Sequence, residues 1–354
     1  MERKWDVQLD FVRIIAGFFV VVVHVMANSV KFSSFAYYTD LIASSGIFMF
    51  IILSGWTNTL SYQNRRRGPG YNHLFNPAAK KLLLPYIGWT LIYTMINGYL
   101  NAKPLLGLTQ GIKLGENLWT GSAWYHLYFM VLLIYLYLVY GFLFELLHRF
   151  KWQTMLFFSL TPIGITYLVN QVAMPPLLNR FLYLSPLNWW GLLFIIGMRW
   201  GLQFRLEDWQ GHLKLKGLIA GMTVGYFGLY AVVLELFHQT NQTAWYSVMM
   251  YLRGAYTFLA LLLFYGLGYY LMRRFTKLKK HVKALSSHIY TLYFCHPVII
   301  CITDQLQQQH LMFKTITAGP LLLKLVLVLT ASLILTYSID GLQNKLHQLW
   351  TKKA

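Results

Sequence analysis

Ten apolar runs, each about 20 residues long, follow one another along this chain and leave only short segments between them. An α-helix rises 1.5 Å per residue, so about 20 mainly apolar residues are needed to cross the hydrocarbon core of a bilayer. The pattern therefore predicts an all-α protein, a polytopic bundle of about ten transmembrane helices. We place the spans, to within a few residues, at 7–30, 41–62, 81–101, 123–147, 153–173, 187–204, 216–238, 247–272, 285–304 and 319–340.

The composition excludes a water-soluble globule. Hydrophobic residues make up 57% of the 354 residues and charged residues only 12%, about half the charged share of soluble domains. No soluble domain can be separated from the apolar runs. We expect one membrane domain over residues 1–354, with its spans between about 7 and 340 and a cytoplasmic tail at 341–354.

The basic residues predict the orientation. A net charge of +19 would fit a nucleic-acid partner, but here the basic residues cluster between apolar runs. With the N-terminus in the cytoplasm, the inside segments contain 21 of the 30 Lys and Arg residues and the outside segments contain 5. This asymmetry follows the positive-inside rule. It predicts a multi-pass cell-membrane protein with both termini cytoplasmic, in contact with membrane lipids and without a nucleic-acid partner.

The first run has an alternative interpretation as a cleaved signal peptide, because it has a basic start and small residues near Ala27. However, Asp6 and Asp10 lie in its basic part and Arg13 adjoins its apolar core. Cleavage would also leave nine spans and move the N-terminus outside. These features favour a retained first span.

The first span contains the most ionisable residues, namely Asp10, Arg13 and His24. At 100° per residue, Arg13 and His24 differ by about 20° around a helix, and Gly17 and Asn28 share their face. Ionisable groups within a span are costly and are functional candidates by default. Arg13 would lie near the inner face and His24 about 16 Å further along the helix, so a long, thin substrate could contact both. Alternatively, Arg13 only snorkels and His24 is a satisfied core histidine.

Three other segments contain weaker candidates. The fourth span starts with aromatic residues around His126 and Tyr128, which fit either an interfacial belt or a site wall. The ninth span contains Tyr293 and His296 before a proline. A loop with Arg65, Arg66 and Arg67 and the nearby Lys81 fits lipid head groups as well as a phosphate-bearing ligand. No Cys/His spacing typical of a metal site occurs, so we expect no metal.

Five segments keep the order of motifs that occur together in one family of membrane enzymes. The first is residues 9–13 followed by His24, which is like a signature of a basic residue, ten residues of any type and a histidine. The second and third are residues 47–56, like "FfxlSGf", and residues 81–86, like "RlLxPy". The fourth and fifth are residues 124–129, like "yHLWFl", and residues 285–297, like "lsxxsxxiYlxHp". On these segments the chain resembles the integral-membrane acyltransferases of the acyltransferase-3 type. That family includes bacterial O-acetyltransferases of envelope glycans.

The chain departs from the family pattern at one place. Family members often have Arg-x-x-Arg before the proline of the third motif, where this chain has Ala78 and Lys81. Lysine is a point charge without the planar fork of a guanidinium group, so a phosphate role does not transfer directly to this pair. The hydrolase-like extracellular domain that some members carry has no counterpart in this sequence.

The resemblance implies transfer of an acyl group, usually acetyl, from cytoplasmic acyl-CoA to a hydroxyl of an envelope glycan or lipid-linked saccharide. It implies a bacterial plasma-membrane enzyme with acyl-CoA as a substrate and no bound cofactor. His24 would act as general base or acyl-carrying nucleophile, and Arg13 would position the donor. Substrate-binding roles are expected for Asp10, Arg65, Arg66, Arg67, Lys81, His126, Tyr128, Tyr293 and His296.

His24 needs an orienting partner from another span, because Asp10 lies about 21 Å away along the same helix. Tyr128, Tyr293 and His296 are the candidates for that partner. Two other functions stay open at this point. The chain could export or flip a lipid-linked glycan, or it could be a structural or sensing partner of a glycan synthase.

Overall fold

The computed structural model of the chain describes residues 7–64, 77–100, 108–203, 213–240, 243–309, 312 and 315–351, and these residues are helical apart from turns and short connections. Fourteen helices lie in them. They are α1 (Val7–Met26), α2 (Ser34–Ala43), α3 (Gly46–Asn64), α4 (Pro77–Leu100), α5 (Leu108–Thr120), α6 (Tyr128–Leu138), α7 (Tyr140–Arg149), α8 (Lys151–Gln171), α9 (Pro176–Leu184), α10 (Trp189–Gln203), α11 (Leu213–Thr240), α12 (Thr243–Arg274), α13 (Leu278–Gln308) and α14 (Ala318–Thr351).

The predicted all-α, polytopic membrane fold is confirmed. Within the described part of the chain, seven helices or joined helices are long and apolar enough to cross a membrane. They are Val7–Met26, Ser34–Tyr62, Pro176–Gln203, Gly217–Thr240, Trp245–Arg274, Leu278–Gln308 and Ala318–Gln343. An eighth span results if α6 and α7 are taken together, although they bend by 54° where they meet.

The difference from ten spans lies in α4 and α8, which cover the runs predicted at 81–101 and 153–173. Their 24 and 21 residues are long enough to span a bilayer. Neither helix has a stretch as apolar as the other spans, because residues such as Asn97 and Asn170 interrupt the apolar sequence. Large apolar side chains are nevertheless exposed on both helices, as a lipid-facing surface requires. Their crossing of the membrane stays a prediction.

The span Ser34–Tyr62 is broken between α2 and α3, and side chains satisfy the backbone at the break. The hydroxyls of Ser45 and Tyr256 both donate to the carbonyl of Ile42, at 3.1 and 3.2 Å. The Arg253 guanidinium donates to the carbonyl of Ser44. Lipid offers no hydrogen bonds, so an interrupted helix at membrane depth needs such internal partners.

The chain divides into two compact units. One consists of Met1–Phe50, Gly211–Val232 and Leu252–Ala354, and the other of Ile51–Gln210 and Val233–Tyr251. In the first unit α1 packs mainly against α13, and α13 packs against α14. In the second unit, α10 packs against α6, α7 and α8.

Helices α1 and α13 run parallel and approach closely. Arg13 pairs with Ser286 and His24 with His296, so residue numbers rise in the same direction along both helices. A Cβ atom added to Gly17 would lie 2.7 Å from Ile289 Cγ2, closer than real Cβ contacts allow. Two parallel spans must have an odd number of spans between them along the chain. The ten-span interpretation places seven spans between these two, which agrees with their parallel arrangement.

A glycine also explains part of the second motif, in the other unit. A Cβ atom on Gly55 would lie 2.1 Å from the carbonyl oxygen of Phe194, so the backbones of α3 and α10 are in direct contact there. Gly197 on α10 meets the carbonyl oxygen of Ile52 in the same way, at 2.0 Å. The glycine of the motif in residues 47–56 is therefore a packing feature of this structure.

Candidate active site

The contact between α1 and α13, called the seam below, carries three polar groups inside apolar surroundings. Its walls are buried aliphatic side chains such as Ile14, Val21, Ile289 and Leu292. Because charged and polar groups are costly in such a place unless paired, each group on the seam is a functional candidate.

The first polar group holds the guanidinium of Arg13. Its Nη1 donates to Asp10 Oδ1 at 2.7 Å and to Ser286 Oγ at 2.9 Å. The Ser286 hydroxyl donates to the same Asp10 oxygen at 2.8 Å. Asp10 is only 2% exposed, whereas 32% of the Arg13 side chain is exposed. Asp10 and Ser286 therefore fix the position of Arg13 and leave part of its side chain accessible to a ligand.

The second polar group is a pair of histidines. Nδ1 of His24 lies 2.8 Å from Nε2 of His296, and the two rings are nearly parallel, 9° apart. Nδ1 of His296 lies 3.1 Å from the carbonyl oxygen of Leu292. A carbonyl oxygen can only accept, so this nitrogen carries a hydrogen and Nε2 of neutral His296 is an acceptor.

The same reasoning fixes the tautomer of neutral His24. Its Nδ1 must donate to His296, which leaves the lone pair of the ring on Nε2. A general base or a nucleophile needs such a lone pair. Of the three residues that we predicted as partners of His24, His296 is the one whose hydrogen bond to it the structure shows.

The third polar group joins the turn after α1 to α13 and α14, beyond the histidines, and the sequence alone gave it no role. Lys324 Nζ donates to Asp304 Oδ1 at 2.5 Å and to Gln307 Oε1 at 2.9 Å. Asn28 Nδ2 donates to the other oxygen of Asp304 at 3.1 Å. A further pair between His288 and Asp340, supported by Thr291, joins α13 to α14 near the Arg13 end of the seam.

The other predicted residues are placed as follows. Tyr293 is buried on α13 with its ring centroid 6.0 Å from that of His296. Arg65, Arg66 and Arg67 lie outside the described residues. Lys81 falls in α4, but its side chain lies outside the described part. No described cluster of His, Cys, Asp and Glu side chains could hold a metal ion.

His126 and Tyr128 belong to the second unit. His126 lies in the turn before α6, buried, with its ring 5.0 Å from the ring of Tyr93. Tyr128 begins α6, and the guanidinium of Arg180 lies 5.5 Å from its ring centroid. Their surroundings are aromatic, which fits either an interfacial belt or the wall of a ligand site.

A cavity of about 420 Å³ adjoins this aromatic segment within the second unit. Its lining includes Glu116, Ser122, Trp124, Tyr125 and Arg180. The indole N–H of Trp124 is buried with no hydrogen-bond partner among the described residues. Mixed aromatic and charged linings of this kind suit polar organic ligands. Sequence reasoning identified the aromatic residues but missed Glu116 and Arg180, which come from α5 and α9.

The described part of the chain is thus a multi-pass helical membrane protein with a hydrogen-bonded histidine pair and a hydrogen-bonded arginine on one seam. The chain matches the family model described as "Acyltransferase domain" over residues 6–340. It belongs to the acyltransferase-3 family, as its motifs indicate, and is therefore a membrane acyl-transfer enzyme. Comparison with curated proteins and with solved structures found no match.

Proposed function

We propose that this membrane acyltransferase moves an acyl group, acetyl by preference, from cytoplasmic acyl-CoA to a hydroxyl of an envelope glycan or lipid-linked saccharide. In this proposal the N-terminus is cytoplasmic, the donor enters at the Arg13 end of the seam, and His24 performs the chemistry. The observation that carries the proposal is the contact of 2.8 Å between His24 and His296. It holds the lone pair of His24 on Nε2, where a thioester and a hydroxyl can meet.

The distance between the two functional residues supports the donor's identity. Helix α1 (Val7–Met26) is unbroken, so Arg13 and His24 are about 16 Å apart along it. Coenzyme A carries its phosphates at one end and its thioester at the end of a long pantetheine arm. The exposed part of the Arg13 guanidinium can fix the donor near its charged or amide-bearing portion while the thioester reaches His24.

Acyl transfer from the thioester to the hydroxyl can follow either of two routes. In general-base catalysis, His24 Nε2 takes the proton of the acceptor hydroxyl, the oxygen forms a bond to the thioester carbon, and the C–S bond breaks. CoA then leaves as a thiolate and takes up the proton from His24. In covalent catalysis, Nε2 attacks the thioester carbon first and CoA leaves. The acyl group then moves from His24 to the hydroxyl, and the hydroxyl proton ends on the departed thiolate.

The test uses purified protein in liposomes with radiolabelled acetyl-CoA and a lipid extract from source cells that lack the protein. Wild-type protein is expected to release CoA and to label the extract, whereas an exporter would leave the thioester intact. General-base help contributes about 10²–10⁴-fold, so His24→Ala should lose at least about 10²-fold of the rate. His148→Ala is the matched control, because this exposed histidine lies on α7 in the other unit.

Near-normal transfer by folded His24→Ala protein would refute the role of His24. The two routes are separated by omitting the acceptor. Label retained by wild-type protein but not by His24→Ala identifies the covalent route, and no retained label identifies general-base catalysis.

A further inference from the structure

The third polar group of the seam is buried at Lys324 and accessible at Asp304 and Asn28. Lys324 is 1% exposed although it carries a charge inside the apolar segment Ala318–Gln343. Its partner Asp304 has 24% of its side chain exposed, and Asn28 is exposed. The carboxylate of Asp304 is therefore accessible to a ligand, whereas the ammonium of Lys324 is enclosed by the protein.

Its position relative to the histidines is defined by the helices. Asn28 follows His24 by four residues, and Asp304 follows His296 by eight, about 12 Å further along α13. The seam therefore carries Arg13 and Asp10 at one end, the histidine pair between, and the Asn28–Asp304–Lys324 group at the other end. Two substrates must meet at His24. Since the donor is assigned to the Arg13 end, the acceptor must approach from the Asp304 end.

The hydrogen-bonding groups at this end match a compound rich in hydroxyls. An ionised carboxylate has about four acceptor positions and an ammonium three donors. The structure uses two acceptor positions of Asp304 and two donors of Lys324. Hydroxyls both donate and accept, so two adjacent hydroxyls can bridge the accessible carboxylate of Asp304 and the exposed amide of Asn28. The ion pair is electrically neutral as a unit, which favours an uncharged saccharide over a polyanion.

We propose that Asn28 and Asp304, with Lys324 holding the Asp304 carboxylate from the protein side, form the subsite that binds a neutral, hydroxyl-bearing saccharide acceptor and directs one of its hydroxyls toward His24. This inference rests on the proposed function, because it assigns the second substrate of the same site. The three residues position the acceptor and take no part in the proton transfer.

The variants must separate binding from folding, because removing one partner of a buried ion pair leaves an uncompensated charge. The double variant Asp304→Asn/Lys324→Met removes both charges together. Asn28→Ala removes one hydrogen bond from an exposed side chain. Gln239→Ala is its matched control, because Gln239 is also an exposed amide and donates one hydrogen bond, at 3.1 Å, to the carboxylate of Glu235.

The experiment measures transfer from radiolabelled acetyl-CoA to a lipid extract from source cells that lack the protein, with the amount of extract varied. Loss of one hydrogen bond typically changes affinity about fivefold. Asn28→Ala should therefore raise the apparent acceptor KM about fivefold, and the double variant should raise it further. The donor KM should stay within about twofold, and Gln239→Ala should leave both constants unchanged.

Three outcomes overturn the inference in distinguishable ways. Absence of any transfer by wild-type protein would remove the proposed function itself. Wild-type transfer combined with an unchanged acceptor KM in Asn28→Ala and in a folded double variant would leave the proposed function standing and refute the subsite. Donor and acceptor KM rising together would mark a general distortion of the seam, which also contradicts the subsite. If the double variant does not fold, Asn28→Ala decides alone.

Discussion

Nδ1 of His24 and Nε2 of His296 share one hydrogen bond of 2.8 Å between two residues that are 272 positions apart in the chain. Only one proton fits between these nitrogens, and the carbonyl of Leu292 fixes which residue supplies it. The relationship is comparable to the histidine–acceptor pairs that orient catalytic imidazoles in other enzymes. It makes the proposed role of His24 depend on a residue that does not need to touch either substrate.

The first prediction concerns His296 as a positioning residue. His296→Ala removes the acceptor for Nδ1–H of His24, so the tautomer is no longer fixed and kcat should fall at least about 10-fold. His296→Gln supplies an amide oxygen that can accept the same hydrogen, so it should recover part of the loss. The measurement is kcat at saturating donor, with size-exclusion elution as the check on folding. Equal loss in both folded variants would indicate a packing role instead.

The second prediction concerns Arg13. Arg13→Lys keeps the charge but loses the planar guanidinium, whose Nη1 donates to both Asp10 and Ser286, so it should weaken donor binding more than turnover. Arg13→Ala should raise the donor KM further. Ser286→Ala removes one of the two partners of Arg13 and should have the smallest effect of the three. Steady-state kinetics with acetyl-CoA varied provides the measurement. An Arg13→Ala protein with unchanged donor KM and no turnover would show that Arg13 acts in the chemical step.

The third prediction concerns the basic loop of Arg65, Arg66 and Arg67, on the donor's side in the proposed orientation. Replacing all three by Gln should raise the donor KM and flatten its dependence on salt, because basic side chains attract a polyanion through interactions that salt screens. The triple change Arg273→Gln/Arg274→Gln/Lys277→Gln is the control, since it removes the same charge from an exposed segment that the proposed orientation places on the same side. A matching rise in both triple variants would assign the effect to net charge. Inverted insertion without a change in KM would support a purely topological role.

The polar stripe of α1 could be predicted from sequence, because helical periodicity alone places Arg13, Gly17 and His24 on one face. What the stripe contacts could not be predicted in the same way. Ser286 and His296 lie within a segment that the sequence analysis identified, but pairing between distant helices depends on tertiary packing that no local pattern encodes. Lys324 shows the limit most clearly, since its spacing relates it to no other polar residue and only the fold joins it to Asn28 and Asp304.

The spans were predictable as apolar runs, but their interruptions were not. The break at Ser44 lies inside one apolar run, and it is satisfied by Arg253 and Tyr256, more than 200 residues away. The bend between α6 and α7 at Val139 likewise has no proline to indicate it, and Gly141 two residues later is one of many glycines in helices of this chain. Hydropathy reports the average environment of a segment, whereas a break depends on whether particular backbone groups find partners.

The last prediction tests the close contact that holds the histidines together. In Gly17→Ala, the new Cβ would lie 2.7 Å from Ile289 Cγ2, so the Ile289 side chain must shift or α1 and α13 must separate between Arg13 and His24. Overpacking of this kind costs about 1–3 kcal/mol and should lower both thermal stability and acyl transfer. Gly225→Ala is the matched control, because nothing lies within 4 Å of its added Cβ and alanine favours the helix. The double variant Gly17→Ala/Ile289→Ala restores the space, so it should recover activity relative to Gly17→Ala. Normal activity in Gly17→Ala, or failure of the double variant to recover any of it, would mean that the separation of these helices does not control the histidine pair.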